Sequence, residues 1–399
     1  MDGGLVEVPV GSLQLGMYVA QLDRPWLETP FILQGFFLHE QADIDLVTEH
    51  CAFVYVDPRR RTRLKPAKRK AVKEPTRNHS YEDKSSLKSE FSVATEEYES
   101  ASVAVSKIFG ELRGGRKLKL KSVRSAIDPL IDSVIRNSEA MAALVRLKSK
   151  GDYLYNHSLA NAVWAAVLGR HLGLEPRVLK KLALAAAVMD VGMTQLDEKV
   201  LASSGKLDEV DIQRMHDHVN LGLALLKNSG EADPEVFSVV SGHHERHDGS
   251  GYPKGLAGPE IPLLARITGL VDSYDAMITT RAHAPARSSF EAIQELGDRK
   301  DQLFQGELVE QFMQAIGLFP TGSVVELSTG EVAIVVAQNE SRRLRPKVVV
   351  VLDENKERYP RLVIIDLASY EAGHDKADIW VKKELQADAY GLRPDEFFL

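Results

Sequence analysis

Cysteine is nearly absent from this 399-residue chain. Cys51 stands alone, so a disulfide framework is excluded and a reducing compartment suits the protein. Long apolar runs are missing too: none approaches the roughly 18 residues of a membrane span. The start, Met1-Asp2-Gly3-Gly4, shows no basic segment followed by an apolar one. Neither a transmembrane segment nor a secretory signal is expected, and the expected location is cytoplasmic. Positive charge is short overall. The net charge of −7 excludes a global basic field for DNA or a membrane surface. What is present, 44% hydrophobic and 27% charged residues, is the balance of a globular protein long enough for two or three domains. Cys51 falls in the apolar run Cys51-Ala52-Phe53-Val54-Tyr55-Val56, so it reads as a buried structural thiol.

Patterning divides the chain. Residues 1–57 alternate short apolar runs with turn residues, Val6, Val8 and Val10 at period two, and read as a small β-rich domain. Residues 58–90 carry a dense basic run, Arg59 to Lys73, that reads as a solvated linker or as an electrostatic tether for an acidic partner. A helical connector follows over 91–148, broken at Gly114-Gly115, with Asp128 expected as an N-cap before Pro129. Residues 149–316 are strongly helical, with helices expected near 154–172, 177–190, 208–228, 234–245, 262–280 and 288–298. Asp233-Pro234 marks a start and Gly230 a stop. Residues 317–399 form a β-like extension, with strands expected at Ser323–Leu327, Val332–Val336 and Lys347–Leu352. The fold class expected is mainly α: a helical bundle with β-rich flanks.

Chemistry concentrates in the helical part. Asp190 ends a helix, Leu182 to Met189, that is apolar on every side. A carboxylate there must be neutralised, used as a cap or bound to a metal. His157 shares a helix face with Ala160, Asn161, Trp164 and Leu168, and so points inward. His218 lies on the face of Met215, Gly222 and Leu225, His243 follows Val236, Val239 and Val240, and Asp272 follows Ala265 and Thr268. Singly, each has an ordinary explanation, such as a satisfied core histidine. Six inward imidazoles and carboxylates on successive helices, His157, Asp190, His218, His243, His244 and Asp272, do not share one. Nitrogen and oxygen ligands suit Fe, Mn, Zn or Ni, in one or two ions. A carboxylate shared by two ions ~3.5–4 Å apart suits phosphodiester hydrolysis.

The segment His243-His244-Glu245-Arg246-His247-Asp248-Gly249-Ser250-Gly251-Tyr252-Pro253 makes the pattern specific. Its Gly-x-Gly pair is no dinucleotide fingerprint, since no strand precedes it and no third glycine follows at the required spacing. Together with His157-Ser158, Met189-Asp190-Val191-Gly192-Met193, His218-x-x-x-Gly222 and Asp272-Ser273-Tyr274-Asp275-Ala276, the chain resembles the HD-GYP branch of the HD phosphohydrolase superfamily. Residues 5–57 resemble the small uncharacterised domain that often precedes it. The resemblance implies a cyclic di-GMP phosphodiesterase in bacterial second-messenger signalling, yielding a linear dinucleotide or GMP. It implies metal ligation by the six residues above, with Asp190 as the bridging carboxylate that activates a hydroxide. It places Gly251, Tyr252, Pro253 and Arg281 at the substrate.

Three departures from the family pattern bear on activity. Met189 replaces the histidine of the His-Asp dyad, and a thioether is a poor ligand for a hard or borderline ion. Met193 replaces a lysine that contacts phosphate. Ala284 stands where a second cation is usual after Arg281. Loss of one transition-state charge donor typically costs ~10²–10³ in rate. Two readings follow: a phosphodiesterase with weakened chemistry, or an inactive module that binds a cyclic dinucleotide or a partner such as a diguanylate cyclase through its Gly-Tyr-Pro loop.

Overall fold

Alternation at the N-terminus builds a four-stranded antiparallel sheet. Strands β1 (Val6–Pro9), β2 (Tyr18–Leu22), β3 (Phe36–Phe37) and β4 (Phe53–Val56) stand in the order β1-β4-β2-β3. In this computed structural model, residues 5–24, 29, 31, 35–38, 41–60, 79–147, 153–197, 209–230, 233–281, 285–339, 344–369, 379–386 and 389–397 are described. A helix, α1 (Gln41–His50), sits among the strands and sends Val47 into their small core with Val19, Leu38, Val54 and Cys51. Burial pushes the Cys51 thiol up to about 11, which makes it a poor nucleophile. Most of the basic run, residues 61–78, lies outside the described residues. Arg60 just before it lies over the Tyr18 ring, 3.6 Å from its centroid, and pairs with Glu307 at 2.9 Å.

Two long helices follow, α2 (Leu87–Arg113) and α3 (Leu120–Arg136). Ser86 caps α2, and Gly114 with Gly115 ends it, Gly115 taking φ 81°. Asp128 does not begin a helix before Pro129: α3 runs straight through the proline. Its apolar stripe, Val123, Ile127, Leu130, Ile131 and Val134, is wholly buried, and that packing outweighs the one backbone hydrogen bond the proline removes. Buried Glu90 ties α2 to α3 through Arg136 and Ser133, each at 2.7 Å.

After α4 (Ser138–Leu147), eight helices make up the rest of the bundle among the described residues: α5 (Tyr153–His171), α6 (Pro176–Val188), α7 (Glu209–His216), α8 (His218–Ser229), α9 (Pro234–Gly242), α10 (Leu263–Ile278), α11 (Ser289–Asp298) and α12 (Gly306–Ile316). The helix expected over 208–228 is two, parted at Asp217. Most of α5 and nearly all of the second half of α6 are buried, as an apolar surface on all sides requires. Among the described residues no helix is long and apolar enough to cross a membrane.

The C-terminal region is a five-stranded antiparallel sheet of β5 (Val324–Leu327), β6 (Val332–Ala337), β7 (Lys347–Leu352), β8 (Arg358–Asp366) and β9 (Val381–Glu384), in the order β8-β7-β6-β5-β9. Arg146 of α4 pins it to the bundle by pairing with Glu384 at 2.9 Å.

Candidate metal centre

Asp190 follows α6 and opens a short 3-10 turn, Val191–Gln195. That turn packs backbone against backbone on α8. A Cβ on Gly192 would lie 1.9 Å from the His218 carbonyl oxygen, so only glycine brings Asp190 this close to His218. The Oδ1 atom of Asp190 is 3.2 Å from His218 Nε2 and 3.5 Å from His243 Nε2. Those two Nε2 atoms are 3.3 Å from each other. Each ring anchors its other nitrogen on a backbone carbonyl one turn back, His218 Nδ1 on Met215 at 2.5 Å and His243 Nδ1 on Val240 at 2.9 Å. The hydrogens are thereby fixed on Nδ1, and the Nε2 lone pairs converge. Asp190 Oδ1 is buried and makes no hydrogen bond among the described residues. Lone pairs meeting a carboxylate oxygen in a buried pocket call for a cation. Ligand atoms of Asp190, His218, His243 and His244 all lie within 4.8 Å of one another.

A second cluster shares Asp190. Its Oδ2 atom is 3.5 Å from His157 Nε2, which is also 2.9 Å from Asp272 Oδ1. Ligand atoms of His157, Asp190 and Asp272 likewise lie within 4.8 Å of one another. Burial opposes ionisation of Asp190. Without a cation, His157, His218 and His243 outweigh it only when they carry a proton on Nε2, and then hold its carboxyl well below the usual range, the place of those protons being the one a cation would take. Burial pulls His244 well below an ordinary imidazole, which leaves it neutral and able to ligate.

The Gly-Tyr-Pro loop leans on this cluster. Glu245 holds it from inside, accepting hydrogen bonds from the backbone of Lys254 at 2.8 Å and Leu256 at 2.9 Å. Gly251 is required by contact, since a Cβ there would lie 2.4 Å from both Arg246 N and His244 O. The Tyr252 ring stacks on His216 at 3.7 Å and on His244 at 4.7 Å. Two rings cannot share one face at those distances, so they cover both faces of the tyrosine.

Residues 139–308 match the family model described as the HD domain. The stretch that holds the whole centre is therefore an HD domain. Residues 5–123 match a domain of unknown function, DUF3391, and residues 324–372 match a KOW domain associated with the HD domain. The chain is 29% identical to cyclic di-GMP phosphodiesterase PA4108 of Pseudomonas aeruginosa, over 97% of this chain and 96% of that protein. It is 34% identical to the cyclic di-GMP phosphodiesterase response regulator RpfG of Xanthomonas campestris, over 40% of this chain and 44% of that one. The solved structure of Bd1817 from Bdellovibrio bacteriovorus aligns with 77% of this chain and 98% of its own at a TM-score of 0.47 and 13% identity.

Within the HD domain, the six residues expected as ligands all come together. Met189 is buried beside Asp190, and Met193 is partly buried in the adjoining turn. Arg281 is half-buried, and its Nε has no partner among the described residues; Ala284 lies outside them. Sequence reasoning did not assign Asp275. Its Oδ2 takes the Nδ1 hydrogen of His157 at 2.6 Å, and Trp164 Nε1 donates to its Oδ1 at 3.1 Å. The available signal was spacing: Asp275 follows Asp272 by three residues on one helix face.

Proposed function

We propose that this HD-domain chain is a metal-dependent phosphodiesterase acting on cyclic di-GMP, with two divalent ions held in the order just described. The observation that carries the reading is Asp190, whose two oxygens face two separate ligand clusters. His218, His243 and His244 with Asp190 would hold one ion, and His157 and Asp272 with Asp190 the other. Bound there, such a pair supplies a nucleophile at neutral pH and positive charge toward the phosphoryl oxygens. The chain's own part is to fix the imidazole tautomers and to exclude bulk water from the buried cluster. Tyr252 has both ring faces covered, so it would serve as a support for His244 and offer substrate an edge rather than a stacking face. Gly251 and Pro253 shape the same loop, and Arg281 is the cation proposed to meet a phosphate. The similarity to a named cyclic di-GMP phosphodiesterase along nearly the whole chain supports the substrate. The cytoplasm fits the single, buried cysteine.

A second reading rests on Met189 and Met193: the site binds the cyclic dinucleotide, or presents the Gly-Tyr-Pro loop to a diguanylate cyclase, without turning substrate over. Incubating full-length protein with cyclic di-GMP and Mn(II) or Fe(II) decides between them. Linear dinucleotide or GMP is the expected product. Binding without product favours the second reading, and neither binding nor product overturns both.

A further inference from the structure

The cluster around His157 offers three ligands where its neighbour offers four, and Met189 adds no imidazole to it. We propose that Asn161 completes it, as a metal ligand through its side-chain amide oxygen. The inference rests on the two-ion reading above.

Asn161 lies on α5 one turn after His157 and is fully buried, at 0% exposure. Its Nδ2 is 3.1 Å from His157 Nε2, and its Oδ1 has no hydrogen-bond partner among the described residues. A buried amide oxygen without a partner is unfavourable and calls for an explanation. The hydrogens around His157 also conflict. Nδ1 faces Asp275 at 2.6 Å and so carries a hydrogen. Nε2 faces Asp272 Oδ1 at 2.9 Å, which asks for a second ring hydrogen, and the Asn161 NH₂ at 3.1 Å, which asks for a lone pair. One ring nitrogen cannot be donor to the first and acceptor from the second.

A cation among these atoms removes the conflict. The terminal amide torsion is two-fold, and its nitrogen and oxygen have nearly the same shape, so the group turns end for end with little strain. Turned, its oxygen joins His157 Nε2, Asp272 Oδ1 and Asp190 Oδ2 with lone pairs toward one point. The spacing agrees. Ligand atoms held ~2.0–2.2 Å from one ion lie roughly 3–3.5 Å from each other. His157 Nε2 is 2.9 Å from the Asp272 oxygen, 3.1 Å from the Asn161 amide and 3.5 Å from the Asp190 oxygen. A neutral amide oxygen beside two carboxylates favours an oxygen-seeking ion such as Mn(II) or Fe(II).

The test is Mn(II) uptake by the full chain, read by titration calorimetry and by elemental analysis after free metal is removed. The variants are Asn161→Leu, which keeps size without a ligand atom, and Asn161→Asp, which keeps a ligating oxygen. Wild-type protein is expected to hold two ions. Asn161→Leu is expected to keep the first at unchanged affinity and to bind the second at least about tenfold more weakly, since even outer partners of ligands change affinity by 10–100-fold. Asn161→Asp is expected to retain both. Two ions bound equally well by wild type and Asn161→Leu overturn the proposal, as does wild type holding a single ion that Asn161→Leu also holds. Should Asn161→Leu fail to fold, Asn161→Asp decides, and loss of its second ion overturns the proposal. Wild-type protein that takes up no ion overturns the two-ion reading itself.

Discussion

The two halves of the centre share Asp190 and are otherwise built differently. One half has three imidazoles, and its two best-defined rings are anchored on backbone carbonyls of Met215 and Val240. The other has one imidazole and a second carboxylate, Asp272, and its ring is anchored on a side chain, Asp275. Nitrogen-rich and oxygen-rich ligand sets prefer different ions, so the halves need not hold the same metal. Anchoring differs in robustness as well. A backbone carbonyl stays in place whatever its side chain, whereas the His157 side depends on Asp275 and, through it, on Trp164. Both departures next to Asp190, Met189 and Met193, spare the backbone-anchored rings.

The largest effect should come from the shared group. Asp190→Ala is expected to remove both ions and reduce turnover to background, because each half then keeps only neutral ligands or one carboxylate. Elemental analysis of the purified variant checks this. One ion retained at wild-type affinity would break the idea of a shared carboxylate and make the halves independent.

The next effect is a gain. Met189→His with Met193→Lys is expected to raise cyclic di-GMP hydrolysis by about 10²–10³, the range associated with one transition-state charge donor. Steady-state rates and ion counts on the same preparation read it out. A variant that binds metal as wild type does and hydrolyses no faster would point to Ala284, or to another feature of the substrate side, as limiting.

How much of this was legible beforehand depended on whether periodicity or contact carried the signal. The helices from Tyr153 to Asp298 were readable because their apolar stripes are long and their ends punctuated, as at Asp233-Pro234 and Gly230. The break at Asp217 was not, because the apolar spacing continues across it. Helix α1 escaped notice because only Val47 of its ten residues is buried. Strand β9, Val-Lys-Lys-Glu, has no alternation of its own and is defined by its pairing with β5. At the site, His157, Asp190, His218, His243, His244 and Asp272 could be seen to point inward from their helix faces. Their division into two clusters was open to the family resemblance, which sets Asp190, His218, His243 and His244 apart, but not to periodicity, because it depends on the Gly192 contact that presses one turn onto α8. Asn161 and Trp164 were visible only as companions of His157 on one face. Their use of that face is a matter of ångströms.

The smallest effect tests the anchoring itself. In Asp275→Asn the new side chain offers its one oxygen to the His157 Nδ1 hydrogen, so the ring should hold its place, while its amide nitrogen falls opposite Trp164 Nε1 and that hydrogen bond is lost. What changes at His157 itself is charge. A carboxylate partner raises the basicity of the opposite nitrogen, and an amide does not. Affinity for the ion beside His157 is therefore expected to fall about tenfold, the lower end of the range for such outer partners, while the ion beside His218 and His243 is unaffected. No equivalent substitution exists on that other side, where the partners are main-chain oxygens. A calorimetric titration resolving two binding steps measures both affinities at once. Equal weakening of the two steps would mean that Asp275 acts on the centre as a whole, through position rather than through His157, and the contrast between the halves would reduce to ligand count.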